Sequence, residues 1–356
     1  MTTAIRYLSA DDVLAAMPPV AERLDLAERT MTALVADAEL PPKIGVHPRA
    51  AGSFAHAMPA ALRPAIPVDD GRGETAGEAR EAAAAGGTGD LLGIKWVAGF
   101  PANRSRGLPA IHAVVILSDP ATGEPRAILD GGPITALRTA AVSGVAIARF
   151  GPIAAATAGA ADHAAHVTII GGGVQGHSHL EVVGHVLPGA AVTIVDRHPE
   201  RAEALAALGR ETPGISKADA MTDARAAAHT ADVVITVASF TDPVHRQVMD
   251  GSWLGSDALV VPVDYATMCA ASVAREAALF LVDDRGQFLA NRDAGQFDDY
   301  PDPTATLGEA ILAGTPRPPS GRVVVTHLGV GLADVIFADA IVRRAEAAGL
   351  GTLLTG

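Results

Sequence analysis

Three glycines and an acid carry the plainest chemical signal in this 356-residue chain. Gly171, Gly173 and Gly176 stand in the order G-x-G-x-x-G, between an apolar run, His166 to Ile170, and a helix-competent run, Val174 to Val186. In that pattern the first glycine permits a tight turn and the second lets a pyrophosphate approach the backbone. The third lets the new helix sit closely on its strand. The helix then presents its unpaired N–H groups to the phosphates. A second β-branched run from Ala191 ends in Asp196. That is close to the roughly 20-residue spacing at which a carboxylate holds the adenosine ribose. Strand, turn, helix and acid in this order predict a dinucleotide site. Asp196 favours NAD, because its carboxylate repels a 2′-phosphate; the nearby Arg197, His198 and Arg201 keep NADP open.

Arg138 is the most informative single charge. The run Pro133 to Ala148 has helical periodicity, with Ile134, Leu137, Ala141, Val145 and Ala148 on one apolar face. Arg138 falls in its first turns, where the helix dipole disfavours a cation by ~0.3–1 kcal/mol unless an anion is near. Its apolar flanks leave little room to snorkel, so an anionic ligand, phosphate or carboxylate, is the expected partner. Other chemistries find less support. His177 and His179 are two apart on a predicted helix and point to different faces, so no metal site is expected. The lone Cys269 reads as a buried structural thiol. No G-x-S-x-G nucleophile turn is present.

Composition narrows the class. A net charge of −13 argues against nucleic acid as a partner. A single cysteine excludes an internal disulfide and fits a reducing compartment. The first residues lack the apolar centre of a signal peptide. The most membrane-like stretch, Thr139 to Ala161, is interrupted by Arg149 and Pro152. A soluble, cytoplasmic protein without membrane contact is expected. With 49% apolar and only 4% aromatic residues, its core should be Ala, Val, Leu and Ile.

The elements that must position these residues follow in order. Ser9 to Asp12 forms a capping-box pattern for a short helix ended by Pro18 and Pro19. A helix runs from Val20 to about Glu39. Leu40 to His47 and Ser53 to Pro59 read as extended. Residues 63–90 are rich in Pro, Gly, Glu, Asp and Ala and read as a flexible insertion, with a short helix from Glu78. Leu92–Val97, Ile111–Leu117 and Arg126–Leu129 suggest an antiparallel sheet. After Asp196, helices open at Pro199 and Asp223. Strands are predicted at 232–238, 258–263, 278–282 and 322–326, a helix at 304–313, and a last helix carrying Val335, Ala338, Val342 and Ala345. Alternating strands and helices imply a doubly wound, parallel α/β sheet of Rossmann type.

Several motifs together resemble the ornithine cyclodeaminase/mu-crystallin family. They are Ile134–Ala141 (ITALRTAA), Ile170–Gln175 (IGGGVQ), Gly93–Asn103 (GIKWVAGFPAN) with Gly107–Pro109, Asp119–Gly123 (DPATG), Met58–Pro59 and Gly329–Asp334 (GVGLAD). The resemblance spans nearly the whole chain outside the insertion. It implies a homodimer of two-domain subunits: an α+β substrate and dimerisation domain, 1–140 with 322–356, and a dinucleotide domain, 141–321. It also implies hydride transfer at the nitrogen-bearing carbon of a small amino acid or imine, by an NAD(P)-dependent amino acid dehydrogenase or imine reductase. The alternatives within the family are an ornithine cyclodeaminase or a non-catalytic binding protein of mu-crystallin type.

Carried over by position, the family's catalytic roles fall on Asp264 and Lys95. Substrate binding falls on Lys43, Met58, Lys95 and Arg138. Cofactor contacts fall on Arg138, Thr139, Gly171, Gly173, Val174, Gln175, Gly176, Asp196, Arg197, Ala238, Val263 and His327. Three cations suit an α-carboxylate, and one carboxylate suits proton transfer at the substrate nitrogen. The chain also departs from the cyclodeaminases. They follow the aspartate with a Cys-Pro-Gly-Lys-Thr-Glu type stretch, whereas Tyr265–Ala270 here contains no lysine. Lys43 replaces an arginine, Ala110 a threonine and His327 a serine. These differences bear on ornithine as substrate rather than on hydride chemistry.

Overall fold

The computed structural model describes residues 4–64, 89–152 and 164–355. Most of the 63–90 insertion, including its expected helix, lies outside the described residues. The chain divides into two compact units. One comprises Met1–Pro19, Arg29–Arg138 and Val330–Gly356; the other comprises Val20–Glu28 and Thr139–Gly329.

In the first unit β1 (Ile5–Leu8) leads into α1 (Ala10–Ala15). The Ser9 hydroxyl accepts from the Asp12 N–H, and the Asp12 carboxylate accepts from the Ser9 N–H at 3.0 Å. This is the capping box that the sequence predicts. After α2 (Val20–Ala36) come β2 (Ala38–Glu39), β3 (Ile44–Val46), β4 (Phe54–Leu62), β5 (Leu91–Gly99), β6 (Ile111–Ser118) and β7 (Pro125–Asp130). Neighbours from β4 to β7 pair antiparallel, as expected, and β1 joins β7 in parallel. Burial alternates along β5, so one face is apolar and covered. Lys95 lies on that face, between Met58 of β4 and Val115 of β6.

α3 (Gly131–Phe150) carries Arg138. Its expected apolar face is only partly right: Ala148 is exposed, while the turns from Arg138 to Ile147 are buried on every side. Helices enclosed all round lose the one-sided pattern from which a face is read.

The second unit holds an all-parallel sheet. Its strands are β8 (His166–Ile170), β9 (Ala190–Val195), β10 (Ile215–Met221), β11 (Val233–Thr236), β12 (Leu259–Pro262), β13 (Leu279–Val282), β14 (Ala305–Thr306) and β15 (Val323–Thr326). They lie in the order β10-β9-β8-β11-β12-β15-β13-β14. Between them run α4 (Val174–Val186), α5 (Pro199–Glu211), α6 (Ala224–His229), α7 (Ala271–Arg275), α8 (Arg285–Asp293) and α9 (Leu307–Leu312). Asp223 caps α6 as expected, accepting from the Ala226 N–H at 3.0 Å.

Two features correct the sequence reading. Residues 322–329 belong to this unit and not with the C-terminal helix, because β15 is buried and inserted between β12 and β13. Strand β10 was not expected; it lies on the sheet edge, where polar residues such as Lys217 and Asp219 remain exposed and mask the apolar pattern. The core is built largely of Ala, Val, Leu and Ile, as expected, and Phe280, Phe288, Phe297 and Tyr300 gather in one cluster within it.

The chain returns to the first unit with α10 (Gly331–Ala348) and β16 (Thr352–Leu354), the latter pairing with β1. α10 lies against β4, β5 and β6. A Cβ at Gly331 would come within 2.5 Å of the Met58 carbonyl oxygen, so only glycine allows the helix to start so close to the sheet. That approach sets Asp334 in the first turn of α10 over the buried face of β5. Among the described residues no helix is long and apolar enough to cross a membrane.

Candidate active site

In the first unit the structure brings Lys95 and Arg138 onto one carboxylate. Lys95 Nζ donates to Asp334 Oδ1 at 2.8 Å and to Thr135 Oγ1 at 3.2 Å. Arg138 Nε donates to the same Asp334 oxygen at 3.3 Å. All three charged side chains are buried. The other carboxylate oxygen of Asp334 makes no hydrogen bond among the described residues. The anion beside Arg138 is thus first of all a protein carboxylate. The group still carries one net positive charge when all three are ionised.

Burial pushes the Lys95 ammonium down to about 7; Asp334 resists this, and the Arg138 and Lys43 charges add to it. Burial raises the Asp334 carboxyl, but the Lys95 and Arg138 charges outweigh it and hold it below the usual range. Lys43 stands just before β3 and contributes to the same positive field. His56 on β4 reports that field: burial first, then Lys43, His47 and Lys95, bring its imidazole down to about 4. Met58 is buried directly opposite Lys95. Lys95 and Arg138 thus meet on Asp334, Met58 pairs with Lys95 across the strands, and the Lys43 charge acts on Lys95.

In the second unit the glycine turn has the expected geometry. Gly171 takes φ +128, and its N–H donates to the Val195 carbonyl at 2.7 Å. A Cβ at Gly176 would meet the Gly171 carbonyl oxygen at 2.2 Å, whereas one at Gly173 would have no neighbour within 4 Å. The turn is closed where the helix must touch the strand and open where a phosphate must approach. Val174, the first residue of α4, is exposed. Asp196 accepts from the Gly172 N–H and the His198 N–H, each at 2.8 Å. It braces the turn, and each carboxylate oxygen keeps a further lone pair. Arg197 beside it is exposed.

Parallel strands place Gly171 after β8, Asp196 after β9, Ala238 after β11, Val263 and Asp264 after β12, and His327 after β15. All stand along the carboxyl edge of the sheet, where open α/β sheets bind ligands. Thr139 is buried on α3.

Asp264 accepts from Thr236 Oγ1 at 2.9 Å and from the Ala238 N–H at 3.1 Å. Burial outweighs these bonds and pushes its carboxyl up to about 7. Tyr265, next in the chain, has φ 59, a left-handed conformation uncommon outside glycine. Its ring is held against Phe240 and Phe297, with centroids 5.3 and 5.6 Å away. This aromatic contact keeps the backbone turned at the aspartate.

Sequence reasoning missed several members of these sites. Asp334 ends the Gly329–Asp334 motif, but nothing in its local sequence marks it as the partner of two cations. Thr236, Ser143 and His179 are buried polar residues inside apolar elements, a signal that stands out only once burial is known. Asp283 accepts from the Leu328 and Gly329 N–H groups at 2.9 and 2.7 Å and so fixes the loop after His327. Cys269 is buried, and burial pushes its thiol up to about 12, in keeping with a structural role.

The sheet, the glycine turn and the acid after the second strand define a protein of the Rossmann-type α/β class. A profile of the ornithine cyclodeaminase/mu-crystallin family matches residues 73–333. The chain is 32% identical over 361 residues to the nodulation efficiency protein NfeD of Rhizobium meliloti, covering 100% of both chains. It is 29% identical over 270 residues to a Δ(1)-pyrroline-2-carboxylate reductase of Bacillus cereus, covering 74% of this chain and 80% of the relative. An archaeal alanine dehydrogenase dimer with bound NAD superposes with a TM-score of 0.78 at 21% identity, over 99% of each chain. The chain belongs to the ornithine cyclodeaminase/mu-crystallin family.

Proposed function

We propose that this protein is an NAD(H)-dependent oxidoreductase that transfers a hydride at the nitrogen-bearing carbon of a small imino or amino acid. The observation that carries this reading is the buried group in which Lys95 and Arg138 share one oxygen of Asp334. Two cations on a single carboxylate leave positive charge for the carboxylate of a substrate. The reductase named among its relatives acts on a cyclic imino acid, which has both a carboxylate and a C=N bond.

The residues of the glycine turn fit a dinucleotide. Gly173 leaves the approach open, and the first N–H groups of α4 point to the phosphates. Asp196 suits the ribose hydroxyls of NAD. When bound, the nicotinamide supplies or accepts the hydride. Lys95, Arg138 and Lys43 hold the substrate carboxylate. Asp264, with its carboxyl near 7, gives a proton to the imine nitrogen in reduction and takes one from the amine in oxidation. A protonated imine is the better hydride acceptor because its carbon carries more positive charge. Net reduction consumes one imine, one proton and one hydride and yields one amine.

A homodimer is proposed from the family resemblance and from the dimeric alanine dehydrogenase of the same fold. A cytoplasmic setting is proposed from the single cysteine. The test is a screen of cyclic imino acids, and of keto acids with amines, against NADH and NADPH. Nicotinamide absorbance and ammonia would both be read. Loss of NADH absorbance with an imino acid is the expected result. No absorbance change with any such pair would overturn the reading, and ammonia release from ornithine without net NADH change would replace it with cyclodeamination.

A further inference from the structure

Four groups of the second unit form a buried hydrogen-bonded chain that the proposed reaction does not yet use. The Gln175 carbonyl lies 2.6 Å from His179 Nδ1. His179 Nε2 lies 2.8 Å from Ser143 Oγ, and Ser143 Oγ lies 2.9 Å from His327 Nε2. Ser143, His179 and His327 are buried, on α3, on α4 and just after β15.

The chain runs in one direction only. A carbonyl oxygen can only accept, so His179 Nδ1 carries its proton. Burial brings the His179 imidazole down to about 4, so the ring is neutral near pH 7 and its Nε2 is an acceptor. Ser143 must therefore give its hydroxyl proton to His179. The Ser143 oxygen then accepts from His327, which places a proton on His327 Nε2. In the neutral ring that leaves Nδ1 of His327 as an acceptor. A single backbone carbonyl at the start of α4 thus decides, through two side chains, what kind of ligand group His327 can receive.

His327 stands at the carboxyl end of β15. This strand neighbours β12, with Asp264 at its end, on the side of the sheet away from β9 and Asp196. In a doubly wound sheet the two ends of a dinucleotide lie on opposite sides of the switch in strand order. Asp196 marks the adenosine side, so His327 is on the nicotinamide side. We infer that Ser143 and His179 are positioning residues that hold His327 in the Nε2–H tautomer, so that its Nδ1 accepts the carboxamide N–H of bound nicotinamide. This inference rests on the dinucleotide reading above. A serine at this position would have a freely rotating hydroxyl; the histidine in this tautomer presents only an acceptor, so the ligand must bring the N–H.

The test compares NAD with its 3-acetylpyridine analogue, in which a methyl ketone replaces the carboxamide and no N–H remains. Binding to the full chain would be measured for the parent and for Ser143→Ala, Ser143→Thr and His179→Phe. Ser143→Ala is expected to weaken NAD by roughly three- to tenfold, the range of one lost hydrogen bond, and to leave the analogue unchanged. Ser143→Thr keeps the hydroxyl and should restore NAD binding. His179→Phe frees the Ser143 hydroxyl to donate to His327 Nε2, so side-chain 15N spectra should show the tautomer moved to Nδ1–H. Thermal melts identify any variant that fails to fold, and the 15N tautomer of His327 in the parent then decides alone.

Equal weakening of both nucleotides, or an Nδ1–H tautomer in the parent, would overturn the inference while leaving dinucleotide binding intact. A change confined to the KM of the imino acid would also overturn it, by giving the acceptor to the substrate. A parent that binds neither nucleotide removes the underlying reading and the inference with it.

Discussion

Lys95 Nζ and Asp334 Oδ1 lie 2.8 Å apart with both side chains shut off from solvent. They are joined by Arg138 on the same oxygen. The two partners come from an inner strand of a mixed sheet and from the C-terminal helix. Removing Asp334 leaves two buried cations facing each other without compensation. Asp334→Asn is therefore expected to lower unfolding stability by about 3–5 kcal/mol, the cost of breaking a buried pair from one side. Urea unfolding of the full chain measures this. A variant as stable as the parent would show that Asp334 does not hold the two cations together.

Stability should depend on pH in two opposite ways. Burial raises the Asp264 carboxyl from 3.8 to about 7, so between those values the folded chain binds more protons than the unfolded one. Stability from this group is full below pH 4 and is lost as pH rises to 7. Lys95 is lowered from 10.5 to about 7, so between those values the unfolded chain binds more protons. Stability from this group grows as pH rises from 7 toward 10.5. Asp264→Asn should flatten the first limb and Lys95→Met the second. Chemical unfolding across pH 4–10 reads both slopes; unchanged slopes in the variants would refute the assignment.

The reductive reaction needs a protonated Asp264. Its rate, as kcat/KM, should fall as pH rises above about 7. Asp264→Asn keeps the shape but removes the proton, and is expected to lower kcat by roughly 10²- to 10⁴-fold. An unaltered pH profile in the variant would assign the proton to another group.

Two glycines of one turn should respond differently to alanine. At Gly176 the methyl meets a backbone oxygen at 2.2 Å, and at Gly173 it meets nothing within 4 Å. Gly176→Ala is expected to cost about 1–3 kcal/mol through overpacking. Gly173→Ala should melt close to the parent yet bind NAD more weakly, because its methyl lies on the phosphate approach. Melting curves and nucleotide titrations separate the two effects; strong NAD binding by Gly173→Ala would place the phosphates elsewhere.

Asp196 should govern the choice between nucleotides. Asp196→Ser removes the charge that repels a 2′-phosphate, so the ratio of KM for NADP to KM for NAD should fall by at least tenfold, on the order of one charge interaction. An unchanged ratio would point to Arg197 or Arg201 as the determinant.

Much of this molecule is written in short stretches of sequence. The glycine turn is legible because its three roles fall within six consecutive positions and depend on local backbone geometry. The same holds for the Ser9 capping box and the Asp223 cap. Strand β10 and the placement of β15 were not legible, since an edge strand keeps polar residues and a strand's neighbours are chosen by the whole sheet. Lys95 and Arg138 could be nominated singly, from a motif and from a helix dipole. Their common partner could not, because Asp334 lies far along the chain on another helix.

A dinucleotide-type turn, an alternating α/β order and a set of chemically apt side chains are legible in the primary structure, because these depend on near neighbours. Folding settles which charges share an oxygen, which carboxyl is buried enough to titrate near neutrality, and which way a chain of imidazoles and a hydroxyl must point. Those properties depend on burial and on distances between residues remote in the chain, and neither exists until the chain has folded.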